Sequence, residues 1–405
     1  MSIGKKSVLY SAEDEFMHIS RRTWAEVDLT AAEHNFNIIR QKAKGSKICC
    51  VVKADGYGHG ANVLSKLYED LGADYLAVSN IDEAEELRGY GIKLPILILG
   101  YTPVSDAGRL LKLNLTQAVY SLDFARALSS ECEKLEGKLK VHIKIDTGMS
   151  RIGFMCQSFP RDEASIDEIM EACSLKGLEA EGIMAHFSVA DEGEEGREYT
   201  ENQLSSFDYT VNALKEKGIE FDIVHHANSA GTEDYEKAHK SMVRAGIILY
   251  GLAPSTEVLN ALPLKPLMTL KTSVASVKKI HKGTTVSYGR TFEAEKDMTV
   301  ATVTIGYADG YFRDFSNTAY MVLKGKKCRI LGRVCMDQTI IDVSGLEDVK
   351  IGDEVIVFSA DGEPSVSELA TFANTINYEI VCAVSKRVPR FYNKNGKTTD
   401  VMYKL

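Results

Sequence analysis

Five ionisable side chains stand at or near the ends of apolar runs: Lys53, Lys144, His186, His225 and Arg244. A lysine behind a buried strand costs free energy unless its charge is paired or its amine reacts. Lys53 sits in such a place, in "KICCVVKADGYGHG" at 47–60, followed by Tyr57 and a run of glycines. Two more glycine-bearing turns, "NSAG" at 228–231 and "RAGIILYG" at 244–251, could wrap a phosphate with backbone N–H groups, with the Ser229 hydroxyl added. An amine beside a phosphate cradle fits a covalently held pyridoxal cofactor, because lysine is the natural partner of an aldehyde. Any one of the five side chains alone could be a satisfied structural residue. Together they describe a polar pocket.

Other chemistries fit poorly. No HExxH or cysteine-rich ligand spacing points to a metal. Adjacent His225 and His226 leave opposite sides of a strand, so only one can face a site. No G-x-G-x-x-G fingerprint follows a strand. The eight cysteines are scattered and form no CxxC pair, as expected of buried thiols in a reducing compartment. Net charge is −9, and no long basic block offers a nucleic-acid surface. The N-terminal "MSIGKKSVLYSAEDEF" has no apolar core with a cleavage site, and no membrane span is indicated, so the cytoplasm is the expected location.

The 405 residues exceed what one core usually holds, so two domains are expected. Residues 1–20 read as a loosely docked arm. "TWAEVDL" at 23–29 alternates like a strand, and Thr30 and Glu33 form a capping box for a helix to about Lys44. Strands are then expected at 47–53, 75–79, 95–100, 117–120, 140–146, 178–187, 221–228 and 242–251. Helices are expected near 59–71, 81–90, 122–135, 162–174 and 199–217. Apolar strands alternating with amphipathic helices argue for parallel β/α architecture. Eight units in ~200–220 residues suit a (β/α)8 TIM barrel, here residues 30–255. A doubly wound open sheet is the alternative the pattern leaves. Beyond Pro254 the sequence turns to alternating strands, with one helix at 365–376. A mostly-β domain of 256–405 is expected, joined by the strand at 21–29. In a barrel, the five ionisable groups would gather at the C-terminal ends of the strands.

The motifs together resemble the alanine racemase family. "VVKADGYGHG" at 51–60 matches its cofactor-lysine motif. "KIDTGMSRIGF" at 144–154, "HFSVAD" at 186–191, "HHANSAG" at 225–231 and "MVRAGIILYG" at 242–251 follow in order. The second domain adds "VSYGRTF" at 286–292, "TIGYADGY" at 304–311, "GRVCMDQTIIDV" at 332–343, "TINYEI" at 375–380 and "RVPRFY" at 387–392. The resemblance runs from about 23 to 392. One departure is Ala245, where many members have proline.

The resemblance implies that Lys53 carries pyridoxal 5'-phosphate and is one catalytic base, with Tyr288 the other on the opposite face. Arg244 would face the pyridine nitrogen. Tyr57, Asn228, Ser229, Gly246, Ile247 and Tyr392 would hold the cofactor, chiefly its phosphate. Arg151 would steady the cofactor phenolic oxygen and the substrate carboxylate, oriented by Lys144, a lysine often carbamylated. His186 and His225 would support Tyr288 and Arg244. Tyr307, Met336 and Asp337 would be the β domain's substrate-facing residues. The expected activity is interconversion of L- and D-alanine, supplying D-alanine for peptidoglycan, in a homodimer whose partner chain lends Tyr288. A racemase that also accepts serine, a decarboxylase of the same build and a non-catalytic cofactor carrier are the alternatives.

These roles make chemical sense. Racemisation removes a proton from one face and returns one to the other, which two bases on opposite sides accomplish. Both start from reference values of ~10 and must act near neutrality, which nearby arginine assists by favouring phenolate. Arginine, with a pKa above ~12, does not hand its proton to a ring nitrogen, which discourages side reactions such as transamination.

Overall fold

A computed structural model describes residues 8–10 and 19–403. The chain divides into two compact units, one of residues 33–56 and 61–264, the other of 1–32, 57–60 and 265–405. Among the described residues no helix is long and apolar enough to cross a membrane.

The first unit is the barrel that the alternation implies. Its strands are β1 (Lys47–Val51), β2 (Tyr75–Val78), β3 (Ile96–Ile98), β4 (Thr116–Val119), β5 (Leu139–Asp146), β6 (Leu178–Met184), β7 (Ile223–His225) and β8 (Met242–Ala245). All their pairings are parallel, and β8 returns to pair with β1, with Arg244 opposite Cys49. Ser241 links the remaining seam, where its N–H donates to the Val224 carbonyl at 3.0 Å. The strands are nearly continuous runs of buried residues, as both faces of such a sheet require. Amphipathic helices such as Ala61–Asp70 and Leu122–Lys134 bury Leu64 and Tyr68, and Leu128 and Cys132.

Several elements differ from the reading above. The helix at Leu29–Lys42 is capped two residues early: Asp28 Oδ1 accepts the N–H groups of Thr30 at 2.7 Å and Ala31 at 3.1 Å. The Thr30 hydroxyl instead accepts the Asn395 N–H. An aspartate two residues ahead wins over threonine because its carboxylate is the stronger acceptor for first-turn N–H groups. The run at 242–251 is strand only to Ala245. Gly246 then turns the chain into a 3-10 helix, Ile247–Tyr250. Apolar character alone cannot separate such a buried turn from a strand. Likewise β7 ends at His225, and Asn228 caps a short helix, Ser229–Asp234. A further short helix lies at Ala107–Lys112.

The second unit is mostly β. Its main sheet runs in the order 8–10, 397–403, 390–394, 23–28, 268–280, 354–358, 320–323, 326–329, and 268–280 also pairs with 298–303. The strand Thr23–Asp28 lies inside this sheet, parallel to Arg390–Lys394 and antiparallel to Met268–Ile280, so the strand preceding the barrel does join the β domain. A stretch of the arm joins this sheet: Val8–Tyr10 pairs antiparallel with Lys397–Tyr403. The rest of the arm expectation, up to residue 18, lies outside the described residues. Two helices, Val366–Phe372 and Asn377–Ala383, replace the single one expected at 365–376. Ile280, Val286, Ala294, Val300 and Leu331 form one apolar cluster of this unit, and Trp24, Phe391 and Val401 another.

Candidate active site

Lys53 lies just past β1, at the start of a left-handed turn. Ala54, Asp55 and Gly56 take φ of 53°, 54° and 62°. Each non-glycine residue there costs ~1–2 kcal/mol, so neighbouring groups must hold the turn. Glu83 Oε1 accepts the Ala54 N–H at 2.7 Å, the Val52 carbonyl accepts the Gly56 N–H at 2.9 Å, and Asp55 Oδ1 accepts the Ala61 N–H at 3.1 Å. The lysine is thereby fixed at the C-terminal rim of the barrel, half-buried.

Arg244 is the hub of the barrel site. It is buried and donates through Nη1 to His225 Nδ1 at 3.0 Å and the His225 carbonyl at 3.2 Å. Through Nη2 it reaches the Ala185 carbonyl at 2.7 Å, the His226 carbonyl at 3.1 Å and His186 Nδ1 at 3.2 Å. Burial, chiefly, pulls its pKa down to about 10, below the range assumed from sequence. It still carries its proton at neutrality. Burial, then Arg244, Arg151, Lys144 and Lys53 in turn, hold the His186 imidazole neutral well below its usual range. Of these, Arg244 touches the imidazole directly. His225 is neutral for the same first two reasons, burial and Arg244.

Lys144 is buried, and its ammonium donates to the Ile145 carbonyl at 2.6 Å. Burial pushes its pKa down to about 7, with Arg244 and Arg151 adding to the effect and Asp146 opposing it. Much of the amine is then neutral and nucleophilic at physiological pH. Arg151 is exposed on the loop after β5. The two glycine-bearing turns meet: Ser229 Oγ accepts the Gly246 N–H at 3.0 Å. Ser229 opens one short helix and Ile247 the other, so first-turn N–H groups of both stand beside that contact. This is a donor set suited to a phosphate.

The second unit holds the remaining residues. Tyr288 is 67% exposed. It follows Ser287, whose φ of 62° and ψ of −174° are costly for a residue with a side chain, and precedes Gly289 at φ 69°. The Ser287 hydroxyl donates to the Arg333 carbonyl and fixes that bend. Tyr288 lines an open depression of about 570 Å³ with Ser287, Cys335, Met336, Asp337 and Gln338. Tyr307 joins them, because its N–H donates to the Cys335 carbonyl at 3.0 Å. A Cβ on Gly306 would meet that carbonyl oxygen at 2.3 Å, so only glycine allows the approach. Tyr57 is buried, which raises its phenol far above the usual range. The Tyr392 hydroxyl donates to the His59 carbonyl at 3.1 Å, and a Cβ on Gly60 would collide with it.

Some of the expected residues are thus brought together: His186, His225 and Arg244 hydrogen-bond in one unit, and Tyr288, Tyr307, Met336 and Asp337 gather in the other. Sequence reading missed others. His142 stands on β5 two residues before Lys144, a period-2 signal that was present in "KVHIKID". Asp309 lies fully buried between Arg22 and Arg387, and its second oxygen accepts the Gly306 N–H at 3.0 Å. No local pattern marks that partnership, since its members come from three distant segments.

A β/α barrel presenting a lysine and a phosphate-suited donor set, with a separate β unit presenting a tyrosine, is the layout of a two-domain enzyme. Comparison makes the class specific. Residues 27–254 match the model of the alanine racemase N-terminal domain, and 267–392 that of the C-terminal domain. Alanine racemase 1 of Clostridium acetobutylicum is 44% identical over 389 residues, 95% of this chain and 99% of that protein. The alanine racemase of Clostridium perfringens is 45% identical over 386 residues, 94% of this chain and 98% of its own. The solved alanine racemase of Clostridium difficile 630 superposes with a TM-score of 0.91 at 40% identity, covering 96% of this chain and all of that one. That of Bacillus anthracis with bound L-Ala-P gives 0.88 at 35% identity, covering 95% and 98%. The chain belongs to the alanine racemase family, and it is an enzyme of that family.

Proposed function

We infer that the protein interconverts L-alanine and D-alanine with pyridoxal 5'-phosphate and two bases, Lys53 and Tyr288. The observation that carries this reading is the treatment of Arg244. A buried guanidinium is held by imidazoles and carbonyls, and remains protonated at neutral pH. Such a group offers N–H and cannot protonate a ring nitrogen. Among the described residues, its hydrogen bonds all run through Nη1 and Nη2, which leaves Nε–H for that purpose.

The residues present fit the cofactor. Lys53 would hold it. Asn228, Ser229, Gly246 and Ile247 would receive the phosphate, with Tyr57 and Tyr392 completing its surroundings. When bound, the cofactor supplies the electron withdrawal that acidifies the substrate Cα–H. Arg244 would keep that withdrawal away from the ring nitrogen, so the proton returns to Cα. Lys53 takes or returns the proton on one face and Tyr288 does so on the other. Arg151 would hold the substrate carboxylate. Carbamylation of Lys144, whose amine burial brings to about 7 so that a substantial share is neutral near that pH, would put an anion there able to orient Arg151. Tyr307, Met336 and Asp337 would limit the side chain to a small one.

We further propose a homodimer in the cytoplasm, with each active site drawing Tyr288 from the partner chain and its D-alanine serving peptidoglycan. The test is a chiral assay of the purified protein with L-alanine, L-serine and larger amino acids. D-alanine should form fastest. Faster turnover of serine would replace the alanine assignment with a broader racemase, and absence of any D-product would reject the function.

A further inference from the structure

Barrel interiors are normally filled by branched apolar side chains. Here a column of polar groups runs through the interior. It starts at Lys140, half-exposed near the start of β5, whose ammonium meets Glu181 Oε1 at 2.7 Å. Glu181, on β6, also accepts the Tyr75 hydroxyl through Oε2. The same oxygen lies 3.4 Å from His142 Nε2, a long contact off the hydrogen-bond axis. His142 Nδ1 meets His225 Nε2 at 2.8 Å, and His225 Nδ1 meets Arg244 at 3.0 Å.

The proton positions in this column follow from chemistry. Arginine can only donate, so His225 Nδ1 is an acceptor and its proton sits on Nε2. That proton points at His142 Nδ1, which must accept, so the His142 proton sits on Nε2 and faces Glu181. Burial keeps His142 neutral, and His142 leads the groups that hold the Glu181 carboxylate ionised, at about 2. The column therefore has one order: carboxylate, imidazole, imidazole, guanidinium.

The backbone is shaped for it. Gly182 pairs with His142 across β5 and β6, and a Cβ on Gly182 would meet the imidazole Nε2 and Cδ2 at 2.8 Å. The register between these strands shifts between Val141 and His142, a bulge that re-aims a side chain. The two rings meet edge to face at 4.9 Å. A glycine, a bulge and two desolvated imidazoles are a costly way to fill a barrel if filling were all they did.

We propose that Glu181, acting through His142 and His225, is a positioning residue for Arg244. Its carboxylate favours the tautomers that the donor-only guanidinium selects, so that His225 keeps a lone pair toward Arg244 and holds its orientation. The consequence for turnover rests on Arg244 facing the cofactor ring, as inferred above.

The test uses holoenzyme with ¹⁵N-labelled histidine. In the wild type, nitrogen signals should show His142 and His225 neutral and protonated on Nε2. Glu181→Gln keeps an acceptor but removes the charge. It should shift the His142 and His225 signals, and lower kcat about tenfold with KM within about twofold, because orientation and not substrate binding is lost. His142→Phe keeps the volume and cuts the column; it should lower kcat similarly while releasing the His225 tautomer, and it serves if Glu181→Gln fails to fold. Protonation of either wild-type ring on Nδ1, or full kcat in a folded variant, overturns the proposal. Wild-type protein that makes no D-alanine would strike the function instead, and the nitrogen signals would still decide the column.

Discussion

The barrel rim and the Tyr288 face prepare a base in opposite ways. Around Lys53 the backbone and its neighbours are fixed from within: the left-handed turn is pinned by Glu83 and Asp55, and Arg244 is saturated from behind by His225, His186 and carbonyls. Tyr288 has a fixed backbone but an uncovered side chain, at the edge of an open depression with Met336 54% exposed. The turn beneath it is held by the Ser287 hydroxyl on the Arg333 carbonyl. What differs is exclusion of water, on which the strength of electrostatic control depends. A base on a bare surface needs a cover, and a second copy of the chain is the cover we propose.

The largest effects should come from separating the two bases. Lys53→Ala should abolish racemisation and the visible absorption of bound cofactor. Tyr288→Phe should lower turnover by at least about 10³-fold while leaving cofactor absorption in place. Mixing the two inactive proteins breaks or sharpens the comparison. If each site takes its lysine from one chain and its tyrosine from the other, every mixed dimer has one intact site. Random exchange makes about half the dimers mixed, so activity should recover to roughly a quarter of wild type. A tagged chain pulling down an untagged one verifies exchange. Exchange without recovered activity would place both bases in one chain.

A smaller effect tests whether the exposed face is as rigid as the buried one. Asp309 has no exposed side-chain surface and bridges Arg22 and Arg387, while Arg387 also meets Asp337 at 2.6 Å. It closes the turn that carries Tyr307. Asp309→Asn leaves two arginines facing a neutral amide. Chemical denaturation should show a loss of about 3 kcal/mol, and kcat/KM should fall with Tyr307 loosened. A loss under about 0.5 kcal/mol would mean that solvent around the half-exposed arginines replaces the carboxylate.

The same contrast explains what the sequence disclosed. Strand and helix alternation located the barrel, because parallel strands buried on both faces must be apolar runs between amphipathic helices. The strand at 23–28 announced itself by having no helix before it. Where burial was uniform the reading failed: "MVRAGIILYG" is apolar throughout, and only the backbone shows it bending at Gly246. The capping error at Thr30 arose from a local competition that Asp28 wins. Lys53 was found by its motif, but its left-handed turn was not, since Ala54 and Asp55 adopt φ values their types disfavour. The column through His142 and Glu181 was missed for another reason: its meaning lies in separate strands meeting, and nothing local ties His142 or Glu181 to the His225 and Arg244 already singled out.

The smallest prediction concerns Lys144, which distinguishes a buried amine from a carbamylated one. As a free amine its pKa falls from 10.5 in the unfolded chain to about 7 in the folded protein, through burial first. Between those values the unfolded chain binds more protons, so stability should rise with pH across that window. Below the folded value both states are protonated and the full penalty of burying the charge remains. Above the unfolded value both are neutral and the penalty is gone. Relative to Lys144→Met, which has no such group, the wild type in bicarbonate-free buffer should gain about 1.5 kcal/mol from pH 7 to about 8.5. A carbamate does not titrate as an amine, so added bicarbonate should flatten this difference and add the mass of bound carbon dioxide to the intact protein. A flat difference without bicarbonate, and no added mass with it, would show that Lys144 keeps its proton throughout, paired more strongly by Asp146 than its burial implies.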